Sequence, residues 1–374
     1  MGNFEFNSKD VTRLIRIANG VSVWQSNTQT PVQILQTGYL RDLIMFIQGT
    51  PAFTGSVAQD KLGPFNIMSN IQVNSNVQAG IVNASGDGLA WYNMMKYGLE
   101  YMGNSPDTGL VTVTNGGDFS YEYNGNIVTA PTGGANALWQ VPMLIPLAQQ
   151  INTLEGYVGI WDLQDPSVQM TLNYTPNSSS AASPFSIIST TAGASPYVGT
   201  GTATLTTPKT LVTRVMYDPP LNSQNDPDFG YVHTIYEEQW NTALGGSATI
   251  NWRALANSGW ITRLLFSAYD SNISNGVADS NMTNSNAINF TVGNNAPVIV
   301  ETIYEAAFRA VQEMGRRLPQ GVHYIDFLGR DLTLQNVLDT FTAGNINLQM
   351  NFNTALGATS SGKVIRSMLM ALQQ

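Results

Sequence analysis

Residues able to do chemistry are scarce in this chain of 374 residues. It contains no cysteine, which excludes thiol nucleophiles, disulfides and cysteine metal sites. Its two histidines, His233 and His323, are each flanked by strand-like residues, which favours structural roles over a metal site or a nucleophile with its base. Glu237 and Glu238 form the only adjacent acidic pair. A glycosidase needs two carboxylates that face each other across a cleft, so this pair is only weak support for one.

Two loop segments resemble ligand-binding motifs without completing them. Residues 357–364 are close to a phosphate-binding loop, but Val364 stands where the magnesium-binding Ser or Thr is required. Residues 270–281 are close to a calcium loop, but Gly276 comes one place late and Asn281 replaces the final Glu. The sequence therefore predicts a Gly/Ser turn for the first segment and an Asn-rich turn for the second.

The remaining candidates are isolated residues. Asp226 and Asp228 could offer carboxylates to a cation, but a loop role is the simpler interpretation. Three tryptophans could line a sugar groove, but they fit the core of a β-sandwich better. They are Trp91, Trp139 and Trp161. We therefore predict no catalytic, cofactor-binding or metal-binding residues and no cofactor.

The composition is that of an acidic, folded protein. Net charge is −9, the pI is near 4.6, and 43% of residues are hydrophobic against 11% charged. The acidic balance argues against a bulk nucleic-acid binder, whose footprint is a basic face. No Lys or Arg occurs between Tyr97 and Pro208, whereas basic residues crowd the two ends of the chain. No apolar run approaches the roughly 20 residues that span a bilayer, and the N-terminus lacks a secretory signal pattern.

The N-terminal segment is the one place where a functional interpretation competes well with a structural one. Residues 7–18 have helical spacing, and the predicted helix has an apolar face and a basic face. The basic side chains are Lys9, Arg13 and Arg16. This helix could lie on an anionic membrane at the inner face of a shell, or it could pack against a neighbouring subunit. Three basic residues contribute about 3 kcal/mol at best, so membrane binding would require many copies in one shell.

Short apolar or alternating stretches, punctuated by Gly, Pro, Asn and Ser, predict an all-β sandwich. The clearest predicted strands are residues 40–47, 110–114, 168–174, 211–217, 261–268 and 346–352. The clearest helix is predicted over residues 300–317, with Tyr304, Ala307 and Val311 on one face. A second helix is predicted to start after Asp87 as its N-cap.

The chain also resembles itself. Residues 38–46 echo residues 259–266 with one residue of slack, so that Phe46 matches Phe266, and a predicted helix follows each copy. Residues 168–173 then echo 348–353, and residues 209–216 echo 363–370, with Lys209 matching Lys363. Four echoes in one order predict an internal duplication. We place the boundary between the two copies near Pro219. The first copy is preceded by an N-terminal arm over residues 1–24.

The repeated strand starts with Gly38 or Gly259, continues with an aromatic residue and Leu or Ile, and contains an Arg. It looks like an early strand of a viral jelly roll. With two similar halves, a helix in each and a short N-terminal arm, residues 25–374 resemble the double jelly-roll major capsid proteins of tectivirus-like phages, the lineage of the adenovirus hexon. The resemblance implies an all-β fold of two consecutive jelly rolls, residues 25–221 and 222–374, each with a flanking helix, after a short N-terminal helical arm.

The resemblance also implies a function and partners. It implies a structural major capsid protein, not an enzyme, whose homotrimers form pseudo-hexagonal capsomers of an icosahedral bacteriophage virion. The implied partners are other copies of the chain, penton and minor capsid proteins and, through the N-terminal arm, an internal viral membrane, with no specific nucleic-acid binding. The absence of cysteine is compatible with assembly in a reducing host cytoplasm.

Two other functions stay open from the sequence. A phage receptor-binding or tail-associated trimeric β protein would share the low charge and the Asn-, Gly- and Thr-rich strands, although short triple-β repeats are not evident here. A carbohydrate-active sandwich enzyme would have to use Glu237 and Glu238 as its acid site. For the C-terminal residues 363–372, helical spacing competes with the strand echo, and we predict a strand.

Overall fold

A computed structural model describes most of the two halves of the chain, and structural statements below refer to the described residues. These are residues 14–25, 27–54, 56–58, 68–97, 127–129, 139–149, 159–176, 202–217, 231–241, 245–254, 259–273, 278–293, 297–314, 321–328 and 337–371. By contacts the chain divides into two compact units, Met1–His233 with Leu372–Gln374, and Thr234–Ala371. This division falls inside a strand, so the boundary after residue 221 stays a prediction.

The first unit contains a five-stranded antiparallel sheet and a second row of four antiparallel strands. Its elements are β1 (Leu14–Val23), β2 (Thr30–Gln33), β3 (Tyr39–Thr54), β4 (Ser56–Ala58), β5 (Met68–Ser75), β6 (Val82–Ala84), α1 (Gly86–Tyr97), β7 (Ile127–Thr129), β8 (Trp139–Pro146), β9 (Trp161–Asp162), β10 (Met170–Pro176) and β11 (Thr202–Tyr217). One sheet has the order β1-β11-β3-β8, with β9 pairing the start of β3, and the other contains β6-β5-β10-β2. Strands β4 and β7 pair with each other.

The second unit repeats this plan. Its elements are β12 (Tyr231–Asn241), β13 (Thr249–Ala254), β14 (Trp260–Tyr269), a 3-10 helix (Ala278–Asn281), β15 (Ile288–Val292), β16 (Ile299–Glu301), α2 (Ile303–Met314), β17 (Val322–Asp326), β18 (Leu338–Asp339), α3 (Thr340–Ala343), β19 (Ile346–Asn351) and β20 (Ser361–Ala371). One sheet contains β17-β14-β20-β12, with β18 pairing the start of β14, and the other has the order β13-β19-β15-β16. Strand for strand, these are the neighbours found in the first unit.

The core of the second unit lies between its two sheets. Phe266 on β14 and Val364 on β20 belong to the same buried cluster as Trp252, Phe290 and Leu348 of the other sheet. Strand β10 shows the alternation behind such a core, because every second side chain from Met170 is buried. Burying each large apolar side chain contributes roughly 1.5 to 3 kcal/mol. Each unit is therefore a jelly roll, and the predicted fold of two consecutive jelly rolls, each with a flanking helix, is confirmed.

Strand β3 carries a bulge near its start where it pairs with β11. Met216 faces Leu40, and Val215 faces Asp42. Arg41 is therefore an extra residue that no residue of β11 opposes. It lies three places after Gly38.

Strand β14 carries the same bulge where it pairs with β20. Met368 faces Ile261, and Ser367 faces Arg263. Thr262 is therefore the extra residue, and it also lies three places after the leading glycine, Gly259. The two bulges fix which residues of the two rolls correspond.

This correspondence corrects the sequence echoes in two places. The residue equivalent to Phe266 is Met45, not Phe46, because both lie three places beyond the residue that follows the bulge and both are buried. Phe46 is only half-buried. Because both strands carry the bulge at the same place, they align without a gap, and the one residue of slack that matched the two phenylalanines shifted the alignment by one residue.

The last echo is displaced as well. The register pairs Arg214 with Leu43 and Arg366 with Leu264, so the two arginines correspond. Matching Lys209 with Lys363 was therefore wrong by two residues, a shift that preserves the alternation and so is invisible in the apolar pattern. The predicted strand character of the C-terminal segment is confirmed by β20.

The predicted N-terminal helix is wrong from Leu14 onward. This segment is strand β1, which pairs along its length with β11 and has a register shift near Gly20. Ile15, Ile17 and Val21 are β-branched and suit a strand, and pairing with β11 outweighs the weak helical preference of a short segment. The earlier part of the predicted helix, like the predicted strand at residues 110–114, lies outside the described residues.

Both flanking helices exist, with starts that differ from the prediction. Helix α1 is capped by Ser85, whose hydroxyl accepts a hydrogen bond from the Gly88 amide, so Asp87 lies in the first turn and is not the N-cap. Helix α2 begins at Ile303 because β16 occupies the residues before it. Its N-cap is Thr302, which forms a reciprocal capping box with Glu305.

Candidate functional site

His233 is fully buried, and hydrogen bonds hold both nitrogens of its ring. Its Nδ1 lies 3.1 Å from the Leu147 carbonyl, which only accepts, so Nδ1 carries the proton. Its Nε2 then accepts from the Tyr92 hydroxyl at 3.3 Å. Gly159 packs so tightly here that a Cβ would lie 2.9 Å from the His233 Cβ. This is the geometry of a core histidine.

His323 lies at the base of a cleft in the second roll. Its Nε2 is 2.9 Å from an Asp279 carboxylate oxygen, and the other oxygen of Asp279 accepts from the Gly321 amide at 3.0 Å. Its ring packs on Phe266. The cleft has a volume of about 420 Å³ and lies between the 3-10 helix and α2, where Tyr304 forms part of its wall. The His323 side chain joins β17 to the 3-10 helix.

The acidic pair on β12 does not form a two-carboxylate site. Glu237 lies 3.5 Å from the Lys363 ammonium, whereas Glu238 accepts from the Trp252 indole at 2.9 Å and lies 3.7 Å from Arg366. Successive residues of a strand point to opposite faces of the sheet. The two carboxylates therefore point apart, and each neutralises a different cation of the C-terminal strand.

The calcium-like segment is a hydrogen-bonded turn around a buried carboxylate. Asp270 accepts from the amides of Asn272 and Gly357 at 3.0 and 3.1 Å and from the Asn281 side chain at 2.9 Å. Burial raises the pKa of Asp270, but these hydrogen bonds and one from Ser360 outweigh it and hold the pKa below its usual value. Both carboxylate oxygens are engaged, so the segment is the predicted Asn-rich turn.

Residues 357–364, which resemble a phosphate-binding loop in sequence, also have a structural role. A Cβ on Gly357 would collide with the Ser271 hydroxyl and lie 2.9 Å from the Asn272 amide, so this glycine allows two loops to touch. Lys363 lies within β20, whereas a phosphate-binding lysine sits at the start of a helix. The predicted turn before the last element is confirmed.

The other sequence candidates are scattered. Arg16 is exposed on β1 opposite Val215, whereas Lys9 and Arg13 lie outside the described residues, as do Asp226 and Asp228. Trp161 is buried, Trp91 is half-buried on α1, and Trp139 begins β8. Contact of the three N-terminal basic residues with a membrane or inner face stays a prediction.

Two arginines at equivalent positions, Arg214 buried and Arg366 largely buried, were missed by sequence reasoning. Arg214 donates to the Leu35 carbonyl at 2.9 Å and to the Thr37 hydroxyl at 2.7 Å. Arg366 is enclosed by the rings of Tyr236 and Trp252, at 5.1 and 5.5 Å from their centres. Burial lowers the pKa of both arginines. The signal was present as an Arg in each copy of the last strand, but only the correct register aligns them.

Charged groups on the inner side of α2 are mutually paired. Arg309 donates two hydrogen bonds to Glu301, both 2.9 Å long, and Glu313 accepts from the Tyr324 hydroxyl at 2.8 Å. Burial on its own lowers the pKa of Arg309, but the neighbouring carboxylates outweigh it and raise the pKa above its usual value. Burial and the Glu313 carboxylate raise the pKa of Tyr324. This network fixes α2 on strands β16 and β17.

In the part of the chain that the structure describes, no group of three or more His, Asp or Glu side chains could hold a metal ion. Within the same ranges, no helix is both long and apolar enough to cross a membrane. The expected absence of a metal or cofactor stays a prediction.

Solved structures with the same architecture are viral capsid proteins. The major capsid protein of STIV, Sulfolobus Turreted Icosahedral Virus, matches with a TM-score of 0.63 and 14% identity, over 96% of this chain and 97% of that one. PBCV-1 VP54, in a structure fitted into a reconstruction of the virophage Sputnik, matches with a TM-score of 0.61 and 10% identity, over 96% and 93%.

The major capsid protein P2 of bacteriophage PM2 matches with a TM-score of 0.55 and 8% identity, over 97% of this chain and 98% of that one. No family model matches the sequence, and neither does any curated protein. At such identities the similarity establishes the fold alone. That fold is the double jelly roll that the sequence led us to expect.

Proposed function

We propose that this chain is the major capsid protein of an icosahedral virus, a structural protein and not an enzyme. The observation that carries the proposal is the repetition of one roll within one chain, down to the bulge at Arg41 and Thr262, in a fold that matches solved viral capsid proteins end to end. The polar clusters of the described residues support it, because the carboxylates of Glu237, Glu238 and Asp270 are all engaged in structural contacts.

A double roll suits a pseudo-hexagonal tile. Three copies of a chain with two similar rolls place six similar rolls around a threefold axis, and closed rotational symmetry is the usual arrangement of homo-oligomers. The capsomer is therefore a homotrimer, and such a tile packs against its neighbours with nearly hexagonal edges. Penton and minor capsid proteins fill the positions that hexagonal tiles cannot, and the protein resides in the virion shell after assembly in the host cytoplasm.

The acidic balance of the chain is compatible with a shell that binds no specific nucleic-acid sequence, because a net charge of −9 opposes the phosphate backbone. The basic N-terminal residues Lys9, Arg13 and Arg16 face an internal membrane beneath the shell. Each contributes about 1 kcal/mol of attraction to an anionic surface, and many copies in one shell multiply this weak attraction.

The solution mass of the purified protein tests the proposed capsomer. We expect light scattering to give about three times the chain mass of 40.5 kDa, and negative-stain images of the same peak to show a six-cornered outline. A monomer at all concentrations would overturn the homotrimer, and an elongated trimeric rod would indicate the receptor-binding or tail-associated protein instead.

The membrane contact has its own test. Trimers are assembled into particles in the presence of vesicles containing anionic lipid, and the particles are separated by flotation, with the triple variant Lys9→Gln, Arg13→Gln and Arg16→Gln alongside. We expect assembled particles of the wild type to float and those of the triple variant not to. Lys209→Gln, which removes an exposed charge on β11, is the matched control and should float like the wild type. Equal flotation of all three proteins contradicts the proposed contact.

A further inference from the structure

Helix α2 buries two small side chains and exposes three large apolar ones. Ala306 and Ala310 are buried against the roll, whereas Tyr304, Phe308 and Val311 are 84%, 69% and 39% exposed. These three residues are spaced four and three places apart, so they form one stripe along the helix. We call Tyr304, Phe308 and Val311 the outer stripe of α2. Tyr304 and Val311 belong to the apolar face that the sequence predicts, whereas Phe308 does not, and the stripe points away from the core.

The outer stripe exposes two aromatic side chains next to each other. A fully exposed aromatic side chain presents roughly 150 to 250 Å², so Tyr304 and Phe308 together expose on the order of 300 Å². A stable interface takes about 800 Å² from each partner. The outer stripe could thus supply a third or more of one such interface, and its aromatic residues are of the type that dominates interface energy.

The charged residues of α2 bear on which kind of molecule binds the outer stripe. Arg309 is the only cation of the helix, and Glu301 already accepts two hydrogen bonds from it. Glu305 is held in the capping box at the first turn. Within Ile303–Met314, the part of this region that the structure describes, the helix is therefore neutral to acidic, which suits an uncharged protein surface better than nucleic acid or anionic lipid.

At one of the three stripe positions the first roll differs from the second. The caps Ser85 and Thr302 correspond, which places Met94 of α1 at the position of Val311. Met94 is buried, at 3% exposure. One chain thus covers this position in its first roll and leaves it open in its second.

We propose that a second copy of this chain covers the outer stripe of α2 in the capsomer. This inference rests on the proposed homotrimer and names the surface that holds it together. The contact is heterologous, with the stripe of one copy seated on a different surface of the next, and a threefold rotation closes the ring. In a shell made of one repeated chain, every copy has a neighbouring copy that can cover its stripe. The surface that covers the stripe is itself neutral and largely apolar.

Phe308→Asp tests the proposal, because it places a charge in the centre of the stripe without touching the core. Val77→Asp is the matched control, since Val77 is an exposed apolar residue of the first roll, at 55% exposure. We expect the dissociation constant of the Phe308→Asp trimer to rise about tenfold or more, as measured by analytical ultracentrifugation, while Val77→Asp matches the wild type. Circular dichroism should show the same β content in all three proteins.

A labelling experiment covers the case in which the charged variant fails to fold. Because the chain has no cysteine, Phe308→Cys and Val77→Cys each create a single thiol for a maleimide probe. We expect Phe308→Cys to react much more slowly in trimers than in protein diluted to monomers, and Val77→Cys to react equally in both. Equal rates for Phe308→Cys in trimers and monomers would overturn the inference and leave the trimer intact. A wild type that is monomeric throughout would overturn the proposed homotrimer itself.

Discussion

The two rolls of this chain share a backbone plan but bury different parts of it. Their strand orders, their bulges at Arg41 and Thr262 and their capped helices coincide. Yet α1 buries most of its residues, including Met94, whereas α2 buries little more than Ala306 and Ala310. What is repeated is the geometry of turns, bulges and caps, and what differs is which helix face has a covering surface.

The buried charges also lie at the start of the same strand in the two rolls but are balanced by different residues. In the first roll Arg41 bonds to its neighbour Asp42 within one strand, and Asp42 also accepts from the Leu147 amide at 3.2 Å. In the second roll Arg263 stands at the position of Asp42 and pairs across strands with Asp326 at 3.3 Å. Each roll thus neutralises an arginine at the start of the same strand, by a different route. A fold constrains where a charge must be balanced more tightly than it constrains the residue that balances it.

The strongest test of the comparison replaces equivalent core residues. Phe266→Ala and Met45→Ala should each lower the free energy of unfolding by about 2 to 5 kcal/mol, because both leave cavities in a close-packed core. Phe46→Ala should cost clearly less, since Phe46 is half-buried. Chemical denaturation followed by circular dichroism measures all three. A larger loss for Phe46→Ala than for Met45→Ala would contradict the correspondence drawn from the bulges.

The helices offer a second, asymmetric pair. Met94→Ala should lower the free energy of unfolding by about 2 to 5 kcal/mol, because the side chain is buried. Val311→Ala at the equivalent place should change the stability of dilute, monomeric protein by less than about 0.5 kcal/mol. Thermal unfolding measures both losses, at a protein concentration below the dissociation constant of the trimer. Similar losses would mean that the chain itself covers α2.

The leading glycines form a third pair, in which one sequence position serves two needs. Gly38 has a φ of 68°, which Asn tolerates and β-branched residues do not. A Cβ on Gly259 would instead collide with the Leu369 carbonyl. We expect Gly259→Ala to cost about 1 to 3 kcal/mol and Gly38→Asn to cost less than Gly38→Val, both by denaturant midpoint. Gly38→Val is the control for the first site, and its tolerance would show that the positive φ is not required.

Removing the N-caps of the two helices should have the smallest effects on stability, and the two effects should be nearly equal. Ser85→Ala and Thr302→Ala each remove a side-chain acceptor from the first turn of a helix, which costs about 1 kcal/mol. Because both caps accept from the amide three residues ahead, the two losses should agree within experimental error in monomeric protein. A loss confined to one helix would show that the caps do not play the same role.

The sequence predicted the class of the fold, both helices and the paired strands, because period-two apolar patterns and Gly-rich turns are local signals. It misplaced Phe46 because matching two phenylalanines introduced a gap that the paired strands do not have, and it misplaced Lys209 because a shift of two residues keeps the in-and-out alternation. It made Leu14 to Ala18 helical because the partner strand β11 is almost two hundred residues away along the chain. It found the stripe of Tyr304 and Val311 but not its exposure, since burial is set by tertiary packing.

The shared bulge also bears on the history of the chain. At equivalent positions of strands β3 and β14 nearly every side chain differs, including Arg41 and Thr262 at the bulge. No substitution can remove an extra residue from a strand, because that requires deleting a codon and shifting every later side chain to the other face. An insertion of this kind therefore outlasts sequence identity as a mark of common ancestry. Distant relatives of this chain should be easier to recognise by the position of the bulge than by any residue within it.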